Sequence, residues 1–167
     1  MISEKLSPNG RAICQVSFKD RYDIGMRSIA FKIDTGADVS TLSKSNLHTL
    51  GYDDEWIKAN ITATSQTISV ASGVKANFCY VRLPLLNFYG YEAIDWPFAV
   101  LLGKLDYRPL LGLDLLGGFN FNLDNDNDCF TLKRTRAFKR RRPFLPNQEI
   151  HAIHSGYPGL DEARGNI

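Results

Sequence analysis

Cysteine is scarce and poorly placed for a covalent or metal framework. Cys14, Cys79 and Cys129 form an odd, widely scattered set, with neither the paired spacing of a zinc site nor the density of a secreted disulfide scaffold. They are expected as reduced thiols in the core, and no cofactor or metal is called for. Long apolar runs are missing as well. No window approaches the roughly eighteen uninterrupted apolar residues of a membrane span, and Met1 to Pro8 lacks the continuous apolar stretch of a secretion signal. The expectation is a cytoplasmic protein without a membrane span. His48, one of three histidines, lies in a short helical segment and reads as a surface or packing residue.

Net charge is only +2, but its distribution is lopsided. Lys133, Arg134, Arg136, Lys139, Arg140, Arg141 and Arg142 crowd one segment near the end, which leaves the body acidic. With 167 residues there is room for one ordinary domain and a tail, and not for two catalytic lobes. The division expected is an N-terminal extension over 1–10, a folded domain over 11–134 and a basic, flexible tail over 135–167.

The folded part reads mostly as strand. Ile13, Val16 and Phe18 alternate imperfectly with polar residues, a polar turn follows, and 28–33 returns as a second strand that continues over 39–42. Ser43 or Ser45 can cap a short helix ending at Gly51, and Asp53 to Glu55 can open another through Lys58. Thr, Ile and Val enrich 61–70, and 74–86 is strand-like again, so a long hairpin with its tip near Ser72 and Gly73 is expected. Pro84 predicts that the returning strand lies at an edge or ends there. Gly90 marks a turn, 93–102 supplies a core strand, and Phe119 to Leu123 pairs with Cys129 to Leu132 across an Asp/Asn-rich turn. That turn has Cys129 where a calcium loop needs Gly and Thr135 where it needs Glu, so it reads as a solvated hairpin turn.

The most informative stretch is 31–42. Phe31 and Ile33 lead a buried strand directly into Asp34-Thr35-Gly36, where a carboxylate is out of place in a purely structural core. Gly36 permits a close approach, Thr35 can hold the turn through its hydroxyl, and Asp34 would then face the mouth of a cleft. By itself, such a tripeptide is most often an Asp capping a β-turn. The second landmark is Leu110-Leu111-Gly112, followed by Leu113 and Asp114.

Together, the strand entering Asp-Thr-Gly, the strand leaving it and the later apolar-apolar-Gly segment resemble the retropepsin-like aspartic proteases, over about residues 11 to 133. The resemblance implies a mostly β, single-lobe closed barrel with a flap hairpin and one or two short helices. It makes Asp34 the catalytic residue, and Thr35, Gly36 and Ala37 its active-site loop. Thr35 would reach the opposite loop, and Gly36 and Asp38 would meet substrate main chain, as would Ser72 and Gly73 at the flap tip. Leu110, Leu111 and Gly112 would support the site from behind. Retroviral members carry Arg after that glycine. Here it is Leu113, and the apolar-apolar-Gly-x-Asp pattern resembles cellular and bacterial relatives.

Peptide hydrolysis by carboxylates needs one group to take a proton from water and another to give one to the carbonyl oxygen. The chain has one Asp-Thr-Gly, and Asp95, Asp106 and Asp114 do not sit in an equivalent turn. The implied assembly is therefore a homodimer with Asp34 from each subunit, acting on extended polypeptide. Ala37 cannot add the hydrogen bond that Ser or Thr gives the dyad in some relatives, which predicts a mildly acidic optimum. The alternatives are a non-catalytic peptide-binding module with the same fold, or nucleic-acid binding through the basic tail, which would be steeply salt-dependent.

Overall fold

The computed structural model describes residues 1–61, 66–69, 75–101 and 107–135, with 66–69 and 75–77 described by backbone alone. The flap tip at Ser72 and Gly73 lies outside the described residues, as do Asp106 and everything after Thr135.

Alternation builds the first hairpin. Strand β2 (Ile13–Lys19) turns Cys14, Val16 and Phe18 inward, and β3 (Met26–Ile33) does the same with Ile29, Phe31 and Ile33. The two pair antiparallel from Ile13 against Lys32 to Lys19 against Met26. The opposite face, through Gln15, Ser28 and Ala30, stays exposed, as expected of a sheet with one wet side. Beyond the Asp34 turn come β4 (Thr41–Leu42), α1 (Lys44–Thr49) and α2 (Asp54–Asn60). Ser43 caps α1 in a reciprocal capping box with Asn46, and the Asp53 carboxylate caps α2 by accepting from Trp56 N at 2.8 Å.

A long hairpin forms the other wall. Strand β5 (Gln66–Ser69) pairs antiparallel with the start of β6 (Lys75–Phe88), and β6 pairs along its length with β7 (Tyr91–Leu101). The β6–β7 connection has two residues, Tyr89 and Gly90, with φ of 49° and 79°. Both signs are positive, as a turn that matches the strand twist requires, and Gly adopts such a φ without strain. Pro84 does not end the strand: β6 runs on to Phe88 in unbroken register with β7. The proline is tolerated because the other flank of β6 is unpaired there, β5 pairing no further than Phe78 and β2 only from Leu86.

Strand β8 (Leu110–Leu111) lies parallel to β3, and β4 lies parallel to β7. The sheet order is β4-β7-β6-β2-β3-β8, with β5 on β6. Its two ends meet, since Leu110 N donates to Thr41 Oγ1 at 3.0 Å, and the sheet is nearly a closed barrel. Phe18, Phe31 and Phe98 fill it, with centroids 5.5 to 6.1 Å apart. Each ring contributes about 1.5–3 kcal/mol by leaving water.

After α3 (Leu113–Leu116), strands β9 (Phe119–Asp124) and β10 (Cys129–Arg134) form the last hairpin. The segment set apart as an N-terminal extension contributes β1 (Ile2–Lys5), which pairs antiparallel with β10 and completes a three-stranded sheet. Phe119 packs edge-on against Phe88 at 5.3 Å and joins this sheet to the barrel. Lys133 and Arg134 belong to β10, so the basic run begins inside the sheet. All three cysteines are free, Cys14 and Cys79 buried and Cys129 partly so. Among the described residues no helix is long and apolar enough to cross a membrane.

Candidate active site

Asp34 follows the last residue of β3 and keeps the ladder for one more bond, its N–H donating to Leu111 O at 3.1 Å. The chain then turns. Ala37 N donates to Asp34 O at 3.2 Å, and Gly36 N donates to the Asp34 carboxylate at Oδ1 at 2.9 Å. A Cβ at Gly36 would lie 3.2 Å from that same oxygen, so glycine leaves room for the carboxylate to fold back over the turn. Asp34 is half-buried while Thr35 and Gly36 are exposed, so the carboxyl lies where water can reach it. Ala37 and Asp38 are also half-buried.

The apolar-apolar-Gly segment lies directly behind this loop. Leu113 N donates to Ala37 O at 2.8 Å and Asp114 N to Asp38 O at 3.2 Å, while Gly112 N donates to Ser40 Oγ at 3.0 Å. A Cβ on Gly112 would sit 2.7 Å from Val39 C and O and 2.8 Å from Ala37 O. Those are backbone atoms that no rotamer change can move, so only glycine fits.

Asp114 is 5% exposed. Its Oδ1 accepts from Ser40 Oγ at 2.6 Å and Leu115 N at 2.9 Å, and its Oδ2 accepts from Ser40 N at 3.1 Å and Trp96 Nε1 at 3.4 Å. Burial pushes the carboxyl up from the ordinary aspartate value, and the four donors oppose that shift. Asp95 is exposed, at a φ of 53°, with an oxygen 3.5 Å from Arg82 Nη1. Neither acid can join Asp34: one is enclosed by its own donors and the other sits in mid-strand of β7. Among the described residues no three His, Cys, Asp or Glu side chains group as a metal site would need. His48 bonds Asp54 on the surface, Nε2 to Oδ1 at 2.9 Å.

Residues 21–118, more than half of the chain, match the family described as "gag-polyprotein putative aspartyl protease". The chain belongs to this aspartyl protease family. A retropepsin-like aspartic protease from Rickettsia conorii superposes with a TM-score of 0.56 at 27% identity, over 77% of this chain and 95% of that one. The retroviral protease-like domain of Ddi1 from Leishmania major superposes with a TM-score of 0.47 at 18% identity, over 81% and 94% of the two chains. No curated protein matches. The fold is that of a retropepsin-like protease, and the chain's Asp-Thr-Gly and apolar-apolar-Gly segments meet within it.

Two residues near this candidate site make bonds that the sequence does not signal. Asp114 was weighed only as a second acid, and its bonds to Ser40 and Trp96 span 74 and 18 positions that no local pattern signals. Tyr107 donates its hydroxyl to Leu42 O and accepts from Leu101 N at 2.9 Å, which ties the end of β7 to β4. Burial pushes its phenol up to about 12.

Proposed function

We propose that this protein is an aspartic endopeptidase that works as a homodimer, with Asp34 of one copy facing Asp34 of the other across a twofold axis. The observation that carries the reading is the setting of Asp34. It is a carboxylate on a half-exposed loop, anchored by its own N–H to Leu111 and held at one oxygen by Gly36 N–H. Among the described residues Asp34 is the one acid in such a setting, with Asp95 and Asp114 engaged elsewhere, and a second copy is taken as the source of the partner acid.

Two carboxyls about 3 Å apart cannot both ionise, so one proton is shared between them. The ionised member takes a proton from a water lying between the pair while the protonated member donates to the carbonyl oxygen of the scissile bond. Attack of the resulting hydroxide gives a tetrahedral gem-diol, and a second proton transfer to the amide nitrogen releases the new amine. Extended polypeptide would lie between the Asp34 loops and the β5–β6 hairpins, gaining affinity through main-chain hydrogen bonds and selectivity through side-chain pockets. With Ala at position 37, the dyad lacks a further hydroxyl bond, and the optimum is mildly acidic. A rate profile peaking only near about pH 3 would contradict this.

The test is cleavage profiling of a peptide library with the native protein and with Asp34→Asn, alongside sedimentation and pepstatin titration. Native dimer should cleave and be inhibited, and the variant should lose at least about 10³-fold in kcat with its fold intact. Retained cleavage by Asp34→Asn refutes the assignment. Peptide binding without hydrolysis by the native protein would make it a binding module on the same fold.

A further inference from the structure

We infer that Asp114 is the positioning residue of the Asp34 loop, acting through Ser40 and Gly112. The catalytic part of this inference rests on the protease reading above, and the structural part does not.

The loop from Asp34 to Ser40 is suspended at both ends from one short stretch. Leu111 takes the N–H of Asp34 at the start, Leu113 and Asp114 hold Ala37 and Asp38 in the middle, and Gly112 and Asp114 hold Ser40 at the end. Ser40 is fully buried and gripped three times: its N–H and its hydroxyl both donate to Asp114, and the same hydroxyl oxygen accepts from Gly112 N. The direction of those bonds is fixed by the chemistry of the groups. Gly112 N and Ser40 N can only donate, so Ser40 Oγ must accept from one and turn its own proton elsewhere. A carboxylate, which only accepts, is the group that takes it.

Asp114 receives four donors from three elements: the loop, strand β7 through Trp96, and α3 through Leu115. Four donors match the four lone-pair positions of an ionised carboxyl. An enclosed carboxylate with no cation bonded to it is a poor way to stabilise a fold, since a well-packed apolar side chain commonly does as well or better. What the carboxylate supplies is direction. It orients Ser40, Ser40 orients Gly112, and at Gly112 the two backbones lie too close for a methyl group to fit.

Asparagine can replace most of this. Its oxygen would keep Ser40 N and Trp96, its amide would donate to Ser40 Oγ, and Leu115 N would retain its bond to Gly112 O at 3.2 Å. Only the Ser40 proton would be stranded. Alanine would leave Ser40 N, Ser40 Oγ and Trp96 Nε1 without the acceptor they now share.

The experiment compares Asp114→Ala, Asp114→Asn, Ser40→Ala and the Asp114→Ala/Ser40→Ala double variant. It follows kcat and KM on a cleaved peptide together with amide hydrogen exchange at single residues, below the melting temperature of each. Asp114→Ala should speed exchange at Gly36, Ala37 and Ser40 at least about tenfold while Val16 and Phe18 in β2 stay protected. Its kcat should fall about 100-fold with KM within about threefold, Asp114→Asn should recover kcat to within about tenfold of native, and the double variant should be no slower than Asp114→Ala. Unchanged loop exchange in folded Asp114→Ala overturns the inference, as does a rise in KM at constant kcat or full additivity in the double variant. If Asp114→Ala does not fold, Ser40→Ala decides: faster exchange at Ala37 supports the inference and unchanged exchange refutes it. If the native protein cleaves nothing, the protease reading fails, and the exchange data still judge the loop.

Discussion

Replacing Gly112 by Ala places one methyl group where the Asp34 loop and the 110–114 segment pack backbone to backbone. The added carbon would lie 2.7 Å from Val39 C and O and 2.8 Å from Ala37 O, against the roughly 3.5–4.0 Å at which such atoms pack comfortably. The two segments must part by nearly an ångström. Overpacking of this kind costs about 1–3 kcal/mol. The separation also lengthens the bonds from Gly112 N to Ser40 Oγ, Leu113 N to Ala37 O and Asp114 N to Asp38 O, now 3.0, 2.8 and 3.2 Å. Each is worth about 0.5–1.5 kcal/mol. Partial relaxation prevents a simple sum, and a loss of about 2–4 kcal/mol is expected, a large share of the roughly 5–15 kcal/mol of a typical domain. In urea, at a mid-range slope of about 2 kcal/mol/M, the midpoint should fall by about 1–2 M. Gly25→Ala is the control, because a Cβ there meets nothing within 4 Å and the backbone φ is ordinary. It should be neutral or stabilising by up to about 1 kcal/mol. If Gly112→Ala unfolds within about 0.5 kcal/mol of native, the close approach is not a constraint and the account of the loop is wrong.

Phe98→Ala removes the ring shared by Phe18 and Phe31 and should cost about 3–5 kcal/mol by chemical denaturation. The N-terminal cap of α2 gives a pH test. The Asp53 carboxyl is held below its ordinary 3.8, first by the Trp56 N–H and then by Arg21. A lowered folded value means stability that is present above 3.8 and disappears as pH falls through the folded value. The melting temperature of Asp53→Asn should thus lie below native at neutral pH and converge with it in strong acid; a gap that persists or widens there refutes the cap. Burial pushes the Cys14 thiol up to about 12, so a thiol reagent on native protein should modify half-buried Cys129 first and reach Cys14 only on unfolding. Early loss of Cys14, read by mass spectrometry, would contradict its placing.

Much of the architecture is legible wherever burial on one face leaves an alternation, as in Cys14, Val16 and Phe18 or in the 119–132 hairpin. The caps at Ser43 and Asp53 are equally local and equally readable. Strand β1 is different. Ile2 to Lys5 offers one half-buried apolar residue, and its strand state comes from pairing with residues that follow some 130 positions later. Pro84 marks an edge on one flank only, since β7 pairs β6 through that stretch while β5 and β2 leave the other flank unpaired there. At the site, Asp34, Gly36 and Gly112 announce themselves by residue type and spacing. The buried Asp114 does not, since an acid next to apolar residues signals neither its donors nor its depth.

The pairing of β1 with β10 has a consequence for how the molecule is made. Ile2 cannot find Leu132 until the ribosome has released the residues between them. Until then Ile2 to Lys5 are an unclaimed ribbon, with backbone groups open to any neighbouring edge. The three-stranded sheet should therefore be the last piece to set. Deleting Ile2 to Lys5 would act on that final step, leaving the barrel formed and β10 without its outer neighbour.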